Sequence, residues 1–264
     1  MEGIRVRGNG LGGAFFGGEY GSPVAINLPG LPARIHGTPI VPLLLRCGYS
    51  VFQPQYFGTY DSDGTFDPRM AYETVRAASE FLTSGEFRDP WTKDELVPRN
   101  VSMPLLVAHS FGTYAAMCAL ISGLTFDRVA MFSPMLRLGC HSREDGLVLD
   151  LYRHAERIAT VYPFTHRSPG VSDLVRFFTE DRVTWPIPSL TGGGHRPAFG
   201  VFAGGSDESL NAKRALEASR TMIEDTFGGE LDVALIVPGG MHGVDTLLEN
   251  DNDGIIGGFL EERS

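Results

Sequence analysis

The sequence predicts an α/β protein with a mostly parallel central sheet flanked by helices. Short apolar runs alternate with stretches of helical periodicity along most of the 264 residues, as they do where strands are joined through crossover helices. At residues 101–120, VSMPLLVAHSFGTYAAMCAL, the apolar run Leu105-Leu106-Val107 stops at Ala108-His109-Ser110-Phe111-Gly112 and resumes as Thr113-Tyr114-Ala115-Ala116-Met117. That is a buried strand, a sharp turn carrying a serine, and a helix opener.

Composition sets the limits. Hydrophobic residues make up 42% of the chain, enough for one large α/β domain or two small ones and too many for disorder. The net charge of −10 argues against a nucleic-acid or anionic-membrane partner, which clustered Lys and Arg would serve. Cys47, Cys118 and Cys140 are odd in number and lack C-x-x-C spacing, so neither a disulfide framework nor a zinc site is expected. No secretory leader and no membrane-length apolar run is visible, and the expectation is a soluble, cytoplasmic protein.

In chain order, the glycine-dense stretch 3–23 reads as a hairpin at the sheet edge, with strands near Ile4-Arg5-Val6 and Ala14-Phe15-Phe16. Gly8, Gly10 and Gly13 match G-x-G-x-x-G, but no helix-forming segment follows, so a dinucleotide loop is not expected. Pro23–Leu28 is the first central strand, followed by Pro29-Gly30-Leu31-Pro32-Ala33-Arg34 and a short helix from Ile40 to Arg46. Tyr49–Pro54 is the next strand. Ala71, Val75, Ala78 and Leu82 then mark one face of a helix over 68–84, and 85–100 forms a polar connection. After the serine turn come a strand over 128–133, a break over 136–196 with helical pieces near 146–160 and 172–181, a strand over 198–203, a helix over 208–226, a strand over 231–237 and a last helix over 244–260. The triplet Gly192-Gly193-Gly194 reads equally as a hinge or as a surface loop.

The turn Ala108-His109-Ser110-Phe111-Gly112 resembles the G-x-S-x-G nucleophile elbow of the α/β-hydrolase family, with alanine in place of the first glycine. The elbow is so tight that its flanking positions must be small, and alanine adds only one methyl group. Taken alone, the five residues also fit a plain strand–helix turn with serine as helix cap. Two later loops add to the resemblance. Strand 198–203 runs into Gly204-Gly205-Ser206-Asp207-Glu208, and strand 231–237 into Pro238-Gly239-Gly240-Met241-His242-Gly243. This is the family's order of serine, acid and histidine.

The resemblance implies Ser110 as nucleophile, His242 as its base and Asp207 as the acid, with Glu208 as competitor and expected at the start of the next helix. It implies an oxyanion site from the N–H groups of Phe111 and Leu31, with Gly30 lining the substrate. It further implies a core of residues 1–135 and 197–264, with 136–196 inserted as a cap whose aromatics, such as Tyr152, Tyr162, Phe164, Phe177, Phe178 and Trp185, must pack on something. The expected activity is cleavage of a small-molecule carboxylic ester or thioester through an acyl-enzyme, without metal or cofactor. Acyl transfer or cyclisation by the same machinery, lyase chemistry and a silent binding role remain open. Arg34 and His36 could attract an anionic substrate group or be solvated. His109 is expected to point away from the serine and pack, and the remaining histidines (His141, His154, His166 and His195) have no metal-ligand spacing.

Overall fold

The structure, a computed structural model, describes residues 3–17, 21–31, 38–84, 102–136, 148–162, 164, 169–179 and 196–261. The expectations for Arg34, His36, Cys140, Trp185 and the glycine triplet fall outside the described residues, as do the side chains of Tyr152, His154 and Phe178. Strands β1 (Ile4–Gly8), β2 (Leu11–Phe16), β3 (Val24–Leu28), β4 (Ser50–Pro54), β5 (Leu105–His109), β6 (Arg128–Phe132), β7 (Ala198–Gly204) and β8 (Val233–Val237) form one sheet. Their order is β1-β2-β4-β3-β5-β6-β7-β8. The β1–β2 and β2–β4 pairings are antiparallel and the rest are parallel.

The glycine motif is a hairpin. Asn9 and Gly10, with φ of 51° and 77°, sit between the paired Gly8 and Leu11, as the tight two-residue turn of a right-twisted hairpin requires.

Side chains alternate across the central strands and feed two cores. Ile26, Leu28, Leu106 and Ala108 pack with helices α2 (Tyr72–Ser84) and α3 (Phe111–Ile121). Ala25, Leu105 and Val107 pack on the opposite face with α1 (Val41–Arg46), α7 (Val244–Glu249) and α8 (Ile255–Glu261). The first core also takes Ala155 and Ile158 of α4 (Val148–Val161), Leu174 and Phe177 of α5 (Val171–Thr179), and Met222 and Ile223 of α6 (Ala212–Phe227). Helix α3 is therefore covered on nearly every side, which accounts for its apolar sequence.

Four expected elements shift. The helix over 68–84 opens as a 3₁₀ turn, Pro68–Met70, where the Asp67 carboxylate accepts from the Arg69 N–H. The helix expected from Glu208 begins at Ala212, because Asn211 caps it by accepting from the Arg214 N–H. Glu208 stays exposed in the loop. The strand expected from 231 begins at Val233. The last helix divides into α7 and α8, since Asp251 accepts from the N–H groups of Ile255 and Ile256 and starts a second helix.

One buried cation ties the second core together. Arg128 is 6% exposed and donates to the Phe259 carbonyl (2.6 Å) and the Tyr49 hydroxyl (2.9 Å). The contact with α8 places positive charge at the negative end of that helix. Arg128→Ala is expected to lower unfolding stability by about 3 kcal/mol, since it removes two charged hydrogen bonds and strands a buried carbonyl. Denaturant melts would show this, and an unchanged midpoint would contradict it.

Candidate active site

All parallel strands end on the same side of the sheet, so the loops after β5, β7 and β8 converge there. Ser110 follows β5 directly, and its backbone has φ 51° and ψ −119°. A non-glycine residue held there costs on the order of 1–3 kcal/mol. Several bonds hold it. The Ser110 N–H donates to the Phe132 carbonyl (2.9 Å), while the Ser110 carbonyl accepts from the Thr113 N–H (3.0 Å) and the Thr113 hydroxyl (2.6 Å).

Of the two small residues expected beside the serine, Gly112 is required by its surroundings. A Cβ on Gly112 would lie 2.4 Å from the Leu28 carbonyl oxygen. A Cβ on Gly30 would lie 3.1 Å from the Ser110 Cβ and 3.3 Å from His109 Nδ1. The Gly30 loop thus lies against the serine. Tyr56, fully buried in the loop after β4, steadies it by donating from its hydroxyl to the Pro29 carbonyl at 2.7 Å. Burial raises the Tyr56 pKa well above its ordinary value, so the phenol keeps the proton it donates. Leu31 and Phe111 flank the site, both buried in the first core.

Ser110, Asp207 and His242 come together. Ser110 Oγ is 2.9 Å from His242 Nε2, and His242 Nδ1 is 2.8 Å from Asp207 Oδ2. The Asp207 side chain has no solvent exposure, whereas the His242 ring is 30% exposed. The other Asp207 oxygen accepts from the N–H groups of Ser209 (2.8 Å) and Leu210 (3.1 Å). A carboxylate so held only accepts, so Nδ1 of His242 carries its proton and Nε2 faces the serine hydroxyl as an acceptor. Glu208, the competing acid, is exposed.

His242 lies two strands beyond β6, and its loop crosses the sheet in close steps. The Ser206 N–H donates to the Gly240 carbonyl (2.9 Å). A Cβ on Gly204 would fall 2.3 Å from that oxygen and 2.5 Å from the Met241 carbonyl oxygen. The His242 carbonyl then accepts from the Ser133 hydroxyl (3.0 Å), at the end of β6, and lies 2.8 Å from His109 Nε2, at the end of β5. His109 therefore bonds the His242 backbone, and its ring also packs on the His242 ring at 5.3 Å, so the expected packing is joined by a polar contact. Because a carbonyl only accepts, Nε2 of His109 carries the proton. Burial and then the nearby His242 lower the His109 pKa to about 4, so the ring is neutral.

Sequence reasoning missed Tyr56, Thr113, Ser133 and Met135. Met135, just beyond β6, is hooked to the elbow, its N–H donating to the Thr113 hydroxyl at 2.9 Å. Its Sδ lies 3.0 Å from Ser110 Oγ. No local spacing signals these residues, because each acts on a partner from another loop. Above them, α5 packs Phe177 on Tyr114 (5.1 Å) and Phe111 (5.9 Å), and Phe164 packs on Phe66 (5.6 Å). Among the described residues, no cluster of His, Cys, Asp or Glu could hold a metal ion, and no helix is long and apolar enough to cross a membrane. A pocket lined by Ser102, Met103, Thr125, Phe126 and Asp127 opens at the other end of β5 and β6 and holds none of the site residues.

This sheet, mostly parallel and flanked by helices, is the α/β-hydrolase fold. No family model matches the chain, and no curated protein matches it by sequence. Solved structures do match in fold. The esterase Pf2001 of Pyrococcus furiosus superposes with a TM-score of 0.59 at 14% identity, over 98% of this chain and 91% of that one. Est1E from Butyrivibrio proteoclasticus gives 0.53 at 12% identity, over 99% and 96%. The mouse α/β hydrolase domain-containing protein 10 gives 0.54 at 15% identity, over 96% and 98%.

The depressed His109 pKa has a consequence for stability. The folded protein binds fewer protons than the unfolded chain between pH 6.5 and about 4, so stability falls as pH drops through that window. The contribution is about 3 kcal/mol at its full extent. His109→Gln is expected to lose less stability than the wild type between pH 7 and pH 4.5 in urea melts. Equal losses would contradict a buried neutral His109.

Proposed function

We propose that the protein is a serine hydrolase that cleaves a carboxylic ester or thioester through an acyl-enzyme on Ser110. The observation that carries this reading is the continuous relay from Ser110 Oγ through His242 to the buried Asp207, at 2.9 and 2.8 Å, set on a strained strand–helix turn. A serine hydroxyl is a weak nucleophile until an oriented base takes its proton. His242 Nε2 does so as Oγ attacks the carbonyl carbon, and Asp207 stabilises the imidazolium without itself becoming protonated.

The oxyanion meets the N–H of Phe111, first residue of α3, where helix N–H groups have no intrahelical acceptor, and the N–H of Leu31 beside Gly30. Each such donor is worth about 3 kcal/mol. His242 then returns the proton to the leaving group and activates the water that frees the acyl group. Residues 136–196 act as a cap on the core of 1–135 and 197–264. The seat of Phe177 on Phe111 and Tyr114 supports this, since it sets cap side chains on the elbow helix itself. The substrate is a small acyl compound, and the mechanism draws on no metal or cofactor.

Hydrolysis of p-nitrophenyl esters of graded chain length tests the proposal. Wild-type turnover should fall at least about 10³-fold in Ser110→Ala, His242→Gln and Asp207→Asn, and the chain-length profile sizes the acyl site. Turnover surviving in Ser110→Ala would overturn the assignment. An inert wild type whose serine still acylates would move the reading to transfer onto an acceptor other than water.

A further inference from the structure

Ser110 has one hydroxyl proton and two acceptors within reach, His242 Nε2 at 2.9 Å and Met135 Sδ at 3.0 Å. A thioether is a weak acceptor and a neutral imidazole nitrogen a strong one, so the proton lies toward the base and the serine is poised. That balance depends on the oxidation state of one sulfur atom. We propose that Met135 is a modification site, oxidised by peroxide to the sulfoxide, and that this modification switches off Ser110; the second half rests on the nucleophile reading above.

The step balances. A sulfur lone pair attacks one oxygen of hydrogen peroxide, the S–O bond forms and the O–O bond breaks, and the departing hydroxide takes the remaining proton to leave as water. Sulfur loses two electrons and the peroxide gains them. Access follows from the geometry. Met135 is partly exposed, its Sδ lies 3.0 Å from the Oγ that a substrate must reach, and hydrogen peroxide is smaller than any ester. The thioether cannot swing far from the serine by backbone movement, because the Met135 N–H is bound to the Thr113 hydroxyl, which itself donates to the Ser110 carbonyl.

The sulfoxide changes the site in two ways. Its oxygen is a strong acceptor, unlike the thioether, and takes the Ser110 proton away from His242 Nε2. It also adds a polar atom beside Oγ, where the substrate carbonyl must approach. Methionine sulfoxide is reducible by dedicated reductases, so the loss is reversible in kind.

The test uses the whole protein, hydrogen peroxide and a fluorophosphonate that labels activated serines, with peptide mapping by mass spectrometry. In the wild type, one added oxygen at Met135 should appear at the same rate as Ser110 labelling declines, by about 10²-fold or more, the scale on which a general base contributes. Met135→Leu, whatever its own starting rate, should keep that rate of labelling after peroxide. Met135→Gln, which places an amide oxygen near the serine, should label slowly without peroxide. Exposed Met70 and Met241, 48% and 49% exposed, serve as internal controls for oxidation. The proposal is overturned if Met135 stays unmodified while those two oxidise, or if Met135→Leu loses labelling as fast as the wild type. Protein that never labels at Ser110 before peroxide, yet oxidises at Met135 with it, would instead refute the nucleophile reading and leave the modification site standing.

Discussion

The clasp on the His242 carbonyl is the interaction on which the rest of the site depends. The histidine follows β8, yet its partner serine follows β5, with β6 and β7 between them in the sheet. Neighbouring strands are spaced about 4.8 Å apart, so the loop must cross roughly 14 Å to bring the ring to the serine. It does so over a floor kept bare of side chains at Gly204, and it is caught at the far end by Ser133 and His109. A loop crossing that span without such anchors would sample many positions. Misplacement of a base by an ångström is enough to weaken proton transfer severely.

The serine side of the pair is held with equal care. Strain at Ser110 persists because the surrounding bonds over-determine it, with β6 binding its N–H and Thr113 binding its carbonyl. The turn packs so closely on the β3 end that Gly112 has no room for a methyl group. Tyr56 performs the matching task for the Pro29–Gly30 peptide from a third loop. Phe177 of α5 packs on Phe111 and Tyr114 of the same elbow helix, so the seat of α5 and the shape of the site are coupled.

Much of this was legible in the sequence because the decisive signals are local. Ser110 announces itself through the strand before it, the helix after it and the small residues flanking it. Asp207 and His242 follow apolar strands within a few residues. The helix limits were less legible where a polar side chain competes for N–H groups. Glu208 looked like a helix start, but Asn211 supplies the cap and Asp207 takes the intervening N–H groups for itself. Asp251 divides the last helix in the same way. Least legible were the supporting contacts. His109 read as a packing residue because its partner lies 133 positions away, and no periodicity reports a bond of that kind. Met135 and Tyr56 are hidden for the same reason.

The most direct test of the account is where a fluorophosphonate attaches. Peptide mapping of the modified wild-type protein should place a single adduct on Ser110, and His242→Gln should carry almost none at the same exposure. An adduct on another residue, or Ser110 labelling that is indifferent to His242, would contradict the claim that this histidine, held across the sheet, is what makes the serine reactive.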